Sequence, residues 1–162
     1  MYFKQVDILS GLDKDFIKRM MDIGTRSSFP AGAFLFRQGD PAEHFYILTK
    51  GHIKLSSGEG AQTVHMVNHG GEAFGWSSLT GSEMYTASAQ CIEPVSLTMY
   101  HRDKLQPLLS SDPVNAFKFY KNLAATLGNR LVCSYDLLSS FASASSTPSY
   151  GTGQAQEEIE LV

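Results

Sequence analysis

The sequence predicts a mainly β fold: a small barrel or jelly roll flanked by helices and followed by one long C-terminal helix. Three observations lead there. Apolar residues recur at helical spacing near the start, and brief alternating runs separated by turn residues fill the middle. A seam of apolar residues in steps of three and four then runs toward the end.

Length and composition set the bounds. A chain of 162 residues holds one ordinary domain and a modest extension, enough to bury a core. Apolar residues at 43% and charged residues at 18% suit a folded chain better than a disordered one. A net charge of -3 supplies no overall positive field for a phosphate backbone, so direct DNA binding is not expected. The start, Met1 to Asp7, lacks the basic flank and apolar run of a secretory signal, and no later stretch has the length and apolarity of a membrane span. A cytoplasmic protein without a membrane anchor is the expectation. The two cysteines, Cys91 and Cys133, fall in different predicted elements and make neither a disulfide framework nor a metal-binding pair.

The first element is a helix over 8–23, with Leu9, Leu12, Phe16, Met20 and Ile23 on one side and Gly24 as its stop. The roll follows over 29–101, with strands expected at 33–37, 44–49, 52–56, 63–67, 85–91 and 95–100. Turn clusters such as Gln38-Gly39-Asp40-Pro41, Lys50-Gly51, Gly58-Glu59-Gly60 and His69-Gly70-Gly71 separate them. In 85–91 the alternation points Tyr85, Ala87, Ala89 and Cys91 inward and Thr86, Ser88 and Gln90 outward. Small alanines on the inner face leave volume for a ligand or for large side chains from elsewhere.

Helices are expected over 102–141. A short one covers 102–110, and a longer one starts at Asp112-Pro113, an N-cap followed by proline at the first helical position. Phe117, Tyr120, Ala124, Leu127, Leu131, Ser134, Leu138 and Phe141 form a coiled-coil seam on it. A helix over 113–141 runs on the order of 40 Å, longer than a small barrel covers, which favours pairing with a second copy. Gly128, unfavourable by about 1 kcal/mol in a helix interior, is the expected crossing point. The domain is thus 1–141, and 142–162 reads as a Ser-rich, acidic-ended tail in which Ile159, Leu161 and Val162 suggest a docking segment. Nothing there has the pattern of a winged helix.

Three segments carry a resemblance: Phe34-Leu35-Phe36-Arg37-Gln38-Gly39-Asp40, then Phe45-Tyr46-Ile47-Leu48-Thr49-Lys50-Gly51-His52-Ile53-Lys54-Leu55, then Gly71-Glu72-Ala73-Phe74-Gly75. Their order and glycine positions resemble the cyclic nucleotide-binding domains of Crp/Fnr-type regulators, over about 9–138. The resemblance implies a double-stranded β-helix, a short helix after Gly75 and a long dimerising helix. It also implies a phosphate-binding cassette, in which a glutamate after the glycine holds the ribose hydroxyl and an arginine at the next strand holds the cyclic phosphate.

Here those two positions differ: Trp76 follows Gly75, and Tyr85 stands in the arginine's place. A charge-assisted hydrogen bond contributes about 1.5–3 kcal/mol, so losing both anchors removes roughly 3 kcal/mol even if the two terms add only partly. The resemblance therefore implies altered or lost cyclic AMP binding and no fixed cofactor. The ligand expected is a cyclic nucleotide or another small-molecule effector, flatter and less anionic. Its expected site comprises Phe74, Gly75, Trp76, Ser77, Ser78, Leu79, Tyr85, Thr86, Ala87 and, from the long helix, Thr126, with Asn122 and Asn129 also within reach. The interface of a homodimer is expected at Phe117, Tyr120, Ala124, Leu127, Leu131 and Leu138, with the signal passing to a protein partner. Two alternatives remain at this point: a haem-based gas or redox sensor of the same fold, and a cupin-like metalloenzyme. His44, His52, His65, His69 and His101 are too scattered for a paired metal site, and neither a nucleophile-base arrangement nor a Walker loop is present.

Overall fold

The computed structural model describes residues 7–142, and the tail over 143–162 with its suggested docking segment lies outside them. The chain divides between Leu127 and Gly128 into two compact units. The first opens with helix α1 (Lys14–Ile23), followed by strands β1 (Thr25–Phe29), β2 (Phe34–Phe36), β3 (His44–Lys50), β4 (Ile53–Ser57) and β5 (Gln62–Val67). Next come β6 (Ala73–Phe74), a 3-10 turn (Trp76–Leu79), β7 (Ser88–Cys91), β8 (Val95–His101), α2 (Arg102–Ser111) and α3 (Pro113–Ala142), which runs into the second unit. No helix among the described residues is long and apolar enough to cross a membrane.

The strands form two antiparallel four-stranded sheets, ordered β1-β8-β3-β6 and β2-β7-β4-β5. The cluster between them draws on both, including Phe36, Tyr46, Ile53, Phe74, Tyr85 and Leu97. A second cluster lies on the other face of the β3-containing sheet, where Phe45, Ile47, Ala73 and Tyr100 meet Phe16 of α1, Leu105 of α2 and Phe119 of α3. β3 is therefore buried on both faces, and its run Phe45–Leu48 is continuously apolar for that reason. Along it Tyr46 and Leu48 point into the roll while Phe45 and Ile47 point to the helices.

Most expected elements appear within a residue of their expected ends. The first helix, though, starts at Lys14, because Asp7 to Leu12 turns back on itself through Ser10 N to Asp7 O (3.0 Å) and Leu12 N to Leu9 O (3.3 Å). β1 was not expected. It is an edge strand paired only with β8, its residues are largely exposed, and Thr25-Arg26-Ser27-Ser28 carries no apolar alternation to announce it. β6 has two residues, too few for a pattern. β7 starts at Ser88, since Tyr85 is engaged by the loop after β2 instead: Tyr85 N donates to Asp40 O (2.9 Å) and Gly39 N to Tyr85 O (2.9 Å). Gly24 ends α1 in an extended conformation, not a left-handed one; glycine is needed because a Cβ there would meet Thr98 Cγ2 at 2.7 Å.

Candidate functional site

The cassette segment is built around three anchor points. Buried Glu72 accepts from Asn68 N (3.1 Å), His69 N (3.4 Å) and His65 Nε2 (2.7 Å), fixing the turn that leads from β5 into β6. Gly75 then adopts φ 77°, and a Cβ there would meet His44 O and Tyr46 Cδ2, both at 2.9 Å. Only glycine allows the chain to pass so close to β3 in that conformation. The 3-10 turn follows: Ser77 and Ser78 are both buried, and Ser78 Oγ donates to Gly75 O at 2.8 Å. Gln106 Nε2 of α2 braces it by donating to Ser78 O at 3.3 Å.

Tyr85 occupies the interior of the roll, 4% exposed. Its ring stacks on Phe36 with centroids 3.7 Å apart and planes 13° from parallel. Beside it Tyr46 stacks on Phe74 at 4.9 Å and 7°. The Tyr85 hydroxyl donates to His44 O (2.7 Å) and accepts from His44 N (3.0 Å), so it bonds the backbone of β3 both as donor and as acceptor. Burial raises the phenol pKa of Tyr85, and raises that of Tyr46 further with the help of the neighbouring Tyr85. Both hydroxyls are thus neutral donors at ordinary pH.

The other expected site residues distribute around this interior. Phe74 lies in it with Tyr85. Trp76 and Leu79 pack instead with the helix-side cluster, so Trp76 and Tyr85 do not share one wall. Ala87 is half-buried, while Thr86 is exposed and lends its carbonyl to Ser57 Oγ at 3.3 Å. Thr126 is buried on α3 and donates back to Asn122 O (3.0 Å). Asn122 reaches neither strand nor cassette: its Nδ2 donates to Ile8 O (3.0 Å) and Ser10 O (2.8 Å), tying the N-terminal turn to α3. A surface groove of about 510 Å³ opens beside the 3-10 turn, with Leu79, Gln106, Leu109, Ala116, Phe117 and Tyr120 on its walls.

Phe36, Tyr46 and His44 are the site residues that sequence reasoning passed over. The alternation Phe34-Leu35-Phe36 carried a signal for the first, placing Phe36 inward. Nothing in the order of residues announced that the backbone of His44 would receive Tyr85. Among the described residues no three His, Cys, Asp or Glu side chains group as metal ligands would.

A family model for the cyclic nucleotide-binding domain matches residues 26–112, the span from β1 to the start of α3. The chain belongs to the cyclic nucleotide-binding domain family. This domain is a regulatory module, and its relatives include cGMP-dependent protein kinases. The kinase egl-4 of Caenorhabditis elegans is 28% identical over 90 residues, which is 54% of this chain and 12% of the kinase. A cGMP-dependent kinase of Drosophila melanogaster is 24% identical over 116 residues, 68% of this chain and 12% of its own length. The chain thus spans about 12% of the curated relatives it matches. Among solved structures, a protein described as cyclic nucleotide-binding from Geobacter metallireducens superposes with TM-score 0.69 at 26% identity, covering 78% of this chain and 92% of that one. The Thermus thermophilus catabolite activator protein superposes with TM-score 0.66 at 28% identity, covering 82% and 63%.

The Arg37 guanidinium lies over the Phe34 ring at 3.7 Å, and Arg102 reaches Ala42 O (3.4 Å) and the Asp103 carboxylate (3.7 Å). Neither guanidinium is bonded to the cassette turn or to Tyr85.

Proposed function

We propose that this chain is a non-catalytic regulatory module whose cassette no longer anchors a cyclic phosphate, and that it signals as a helix-paired homodimer to a protein partner. The observation that carries this reading is the Phe36–Tyr85 stack with its hydroxyl committed to His44. A charged anchor has become a satisfied aromatic plug that needs no ligand to complete its hydrogen bonds. Without the two charge-assisted contacts, roughly 3 kcal/mol of binding is lost, a weakening of about a hundredfold. The effector class we infer is flat and weakly charged.

Support for the dimer comes from the α3 seam. In the first unit Phe117 is 68% exposed and Tyr120 38%; in the second Leu131 is 52% and Leu138 64% exposed. Within the first unit α3 packs inward through Asn115, Phe119, Leu123 and Thr126, and the seam residue Leu127 is partly buried against the same cluster. Gly128 has open space where a Cβ would stand, as a crossing point for a second helix requires.

Thermal-shift titration with cyclic AMP and cyclic GMP tests the reading. A ligand at a hundred times its dissociation constant adds about 2.7 kcal/mol of stability, several degrees in Tm. At millimolar nucleotide the expected shift is under about 1 °C. A shift of several degrees at tens of micromolar nucleotide would refute it.

A further inference from the structure

His44 and His101 are direct partners in the β3–β8 ladder, and their rings meet edge to face with centroids 4.9 Å apart. His101 also ends β8 and begins α2. Its ring closes the first turn of that helix, where the Asp103 N–H donates to His101 Nδ1 at 3.1 Å. A ring nitrogen accepts only through a bare lone pair, so the form that caps α2 is the neutral imidazole with its proton on Nε2. The carboxylate of the same Asp103 stands 3.7 Å from that Nδ1, placed to hold the nitrogen once it carries a proton. One nitrogen therefore has two alternative partners on one residue, and its protonation state selects between them.

We propose that His101 is a proton-operated helix cap: neutral, it accepts the Asp103 amide and fixes the start of α2; protonated at Nδ1, it releases that amide and pairs with the Asp103 carboxylate.

The surroundings favour a switch at this ring. The groups around the pair are Glu43 and Tyr46 beside His44, Arg102 and Asp103 from α2, and the Tyr85 hydroxyl on the His44 backbone. Burial, and then a charge on neighbouring His101, hold the His44 imidazole below its ordinary 6.5, against a smaller opposing pull from Glu43. His44 is thus the ring that resists protonation. A histidine held below its unfolded value leaves stability untouched above about pH 6.5 and erodes it as pH falls further. Arg102 Nε lies 3.7 Å from Asp103 Oδ1, which keeps that carboxylate at this corner. Further along α2, Gln106 braces the Ser78 carbonyl, so the same helix carries a hydrogen bond to the cassette turn.

The experiment uses the full chain. NMR follows the His101 ring and the Asp103 amide from about pH 8 to pH 5, across the histidine range. The expected result is that the amide moves with the same midpoint as the ring. The same titration is run on His101→Asn, whose side-chain oxygen caps a helix without titrating. In the variant the Asp103 amide is expected to hold its position across the range. An Asp103 amide that ignores the titration of the ring in the wild type overturns the proposal, and so does one that moves in His101→Asn as it does in the wild type.

Discussion

At Tyr85 a phenol meets the backbone of β3 through both of its hydrogen-bonding capacities. Tyr85→Phe keeps the stack on Phe36 but leaves the His44 N–H and C=O without that partner, and is expected to cost about 1–3 kcal/mol in urea denaturation. A cost near zero would mean that water replaces the hydroxyl at no penalty. Gly75→Ala puts a methyl 2.9 Å from His44 O at a positive φ, and should destabilise by about 2 kcal/mol or more by the same measurement. Sequence reasoning read Trp76 and Tyr85 as unusual, since the resemblance implies charged residues at those two positions. It did not see that the two rings part company, Trp76 to the helix-side cluster and Tyr85 into the roll. Trp76 opens the 3-10 turn and Tyr85 lies nine positions on, beyond it, and no periodicity carries across such a break.

Elements differed in how plainly they announced themselves. Strands with one solvent face, such as β7, alternate and are read directly, whereas β3 reads as a continuous run because helices cover its second face. β1 was silent because an edge strand is fixed by its ladder to β8 and not by buried side chains. The helices meet through polar contacts that no apolar pattern shows. Asn115, 2% exposed, accepts from Asp13 N (2.9 Å) and donates to Asp13 Oδ2 (3.2 Å) and Asp112 Oδ2 (2.8 Å), joining the starts of α1 and α3. Asn115→Ala removes these bonds and is expected to cost about 2–3 kcal/mol by chemical denaturation. Hydrogen bonds from Asn115, and then from Arg19, hold the Asp112 carboxyl below its ordinary value. Stability from that group is present above its ordinary carboxylate value and is lost as pH falls from there through the lowered folded value. Acid denaturation of Asn115→Ala is accordingly expected to show a shallower loss below about pH 4 than the wild type.

For the whole molecule, the barrel, the long helix and the family were legible, because turn chemistry and inward alternation repeat through the roll. Assembly and ligand rest on different features and can be tested apart. Leu131→Glu and Leu138→Glu place charges on the exposed seam of the second unit, so light scattering is expected to fall from twice the chain mass toward one chain while circular dichroism of the roll is kept. A wild type that is already monomeric contradicts the dimer without touching the account of the cassette. That account is tested most directly by calorimetric titration of the wild-type protein with cyclic AMP and cyclic GMP. On the proposed reading the expected outcome is no binding tighter than about the millimolar range. Micromolar binding of either nucleotide, with the Phe36–Tyr85 stack still in place, would contradict it.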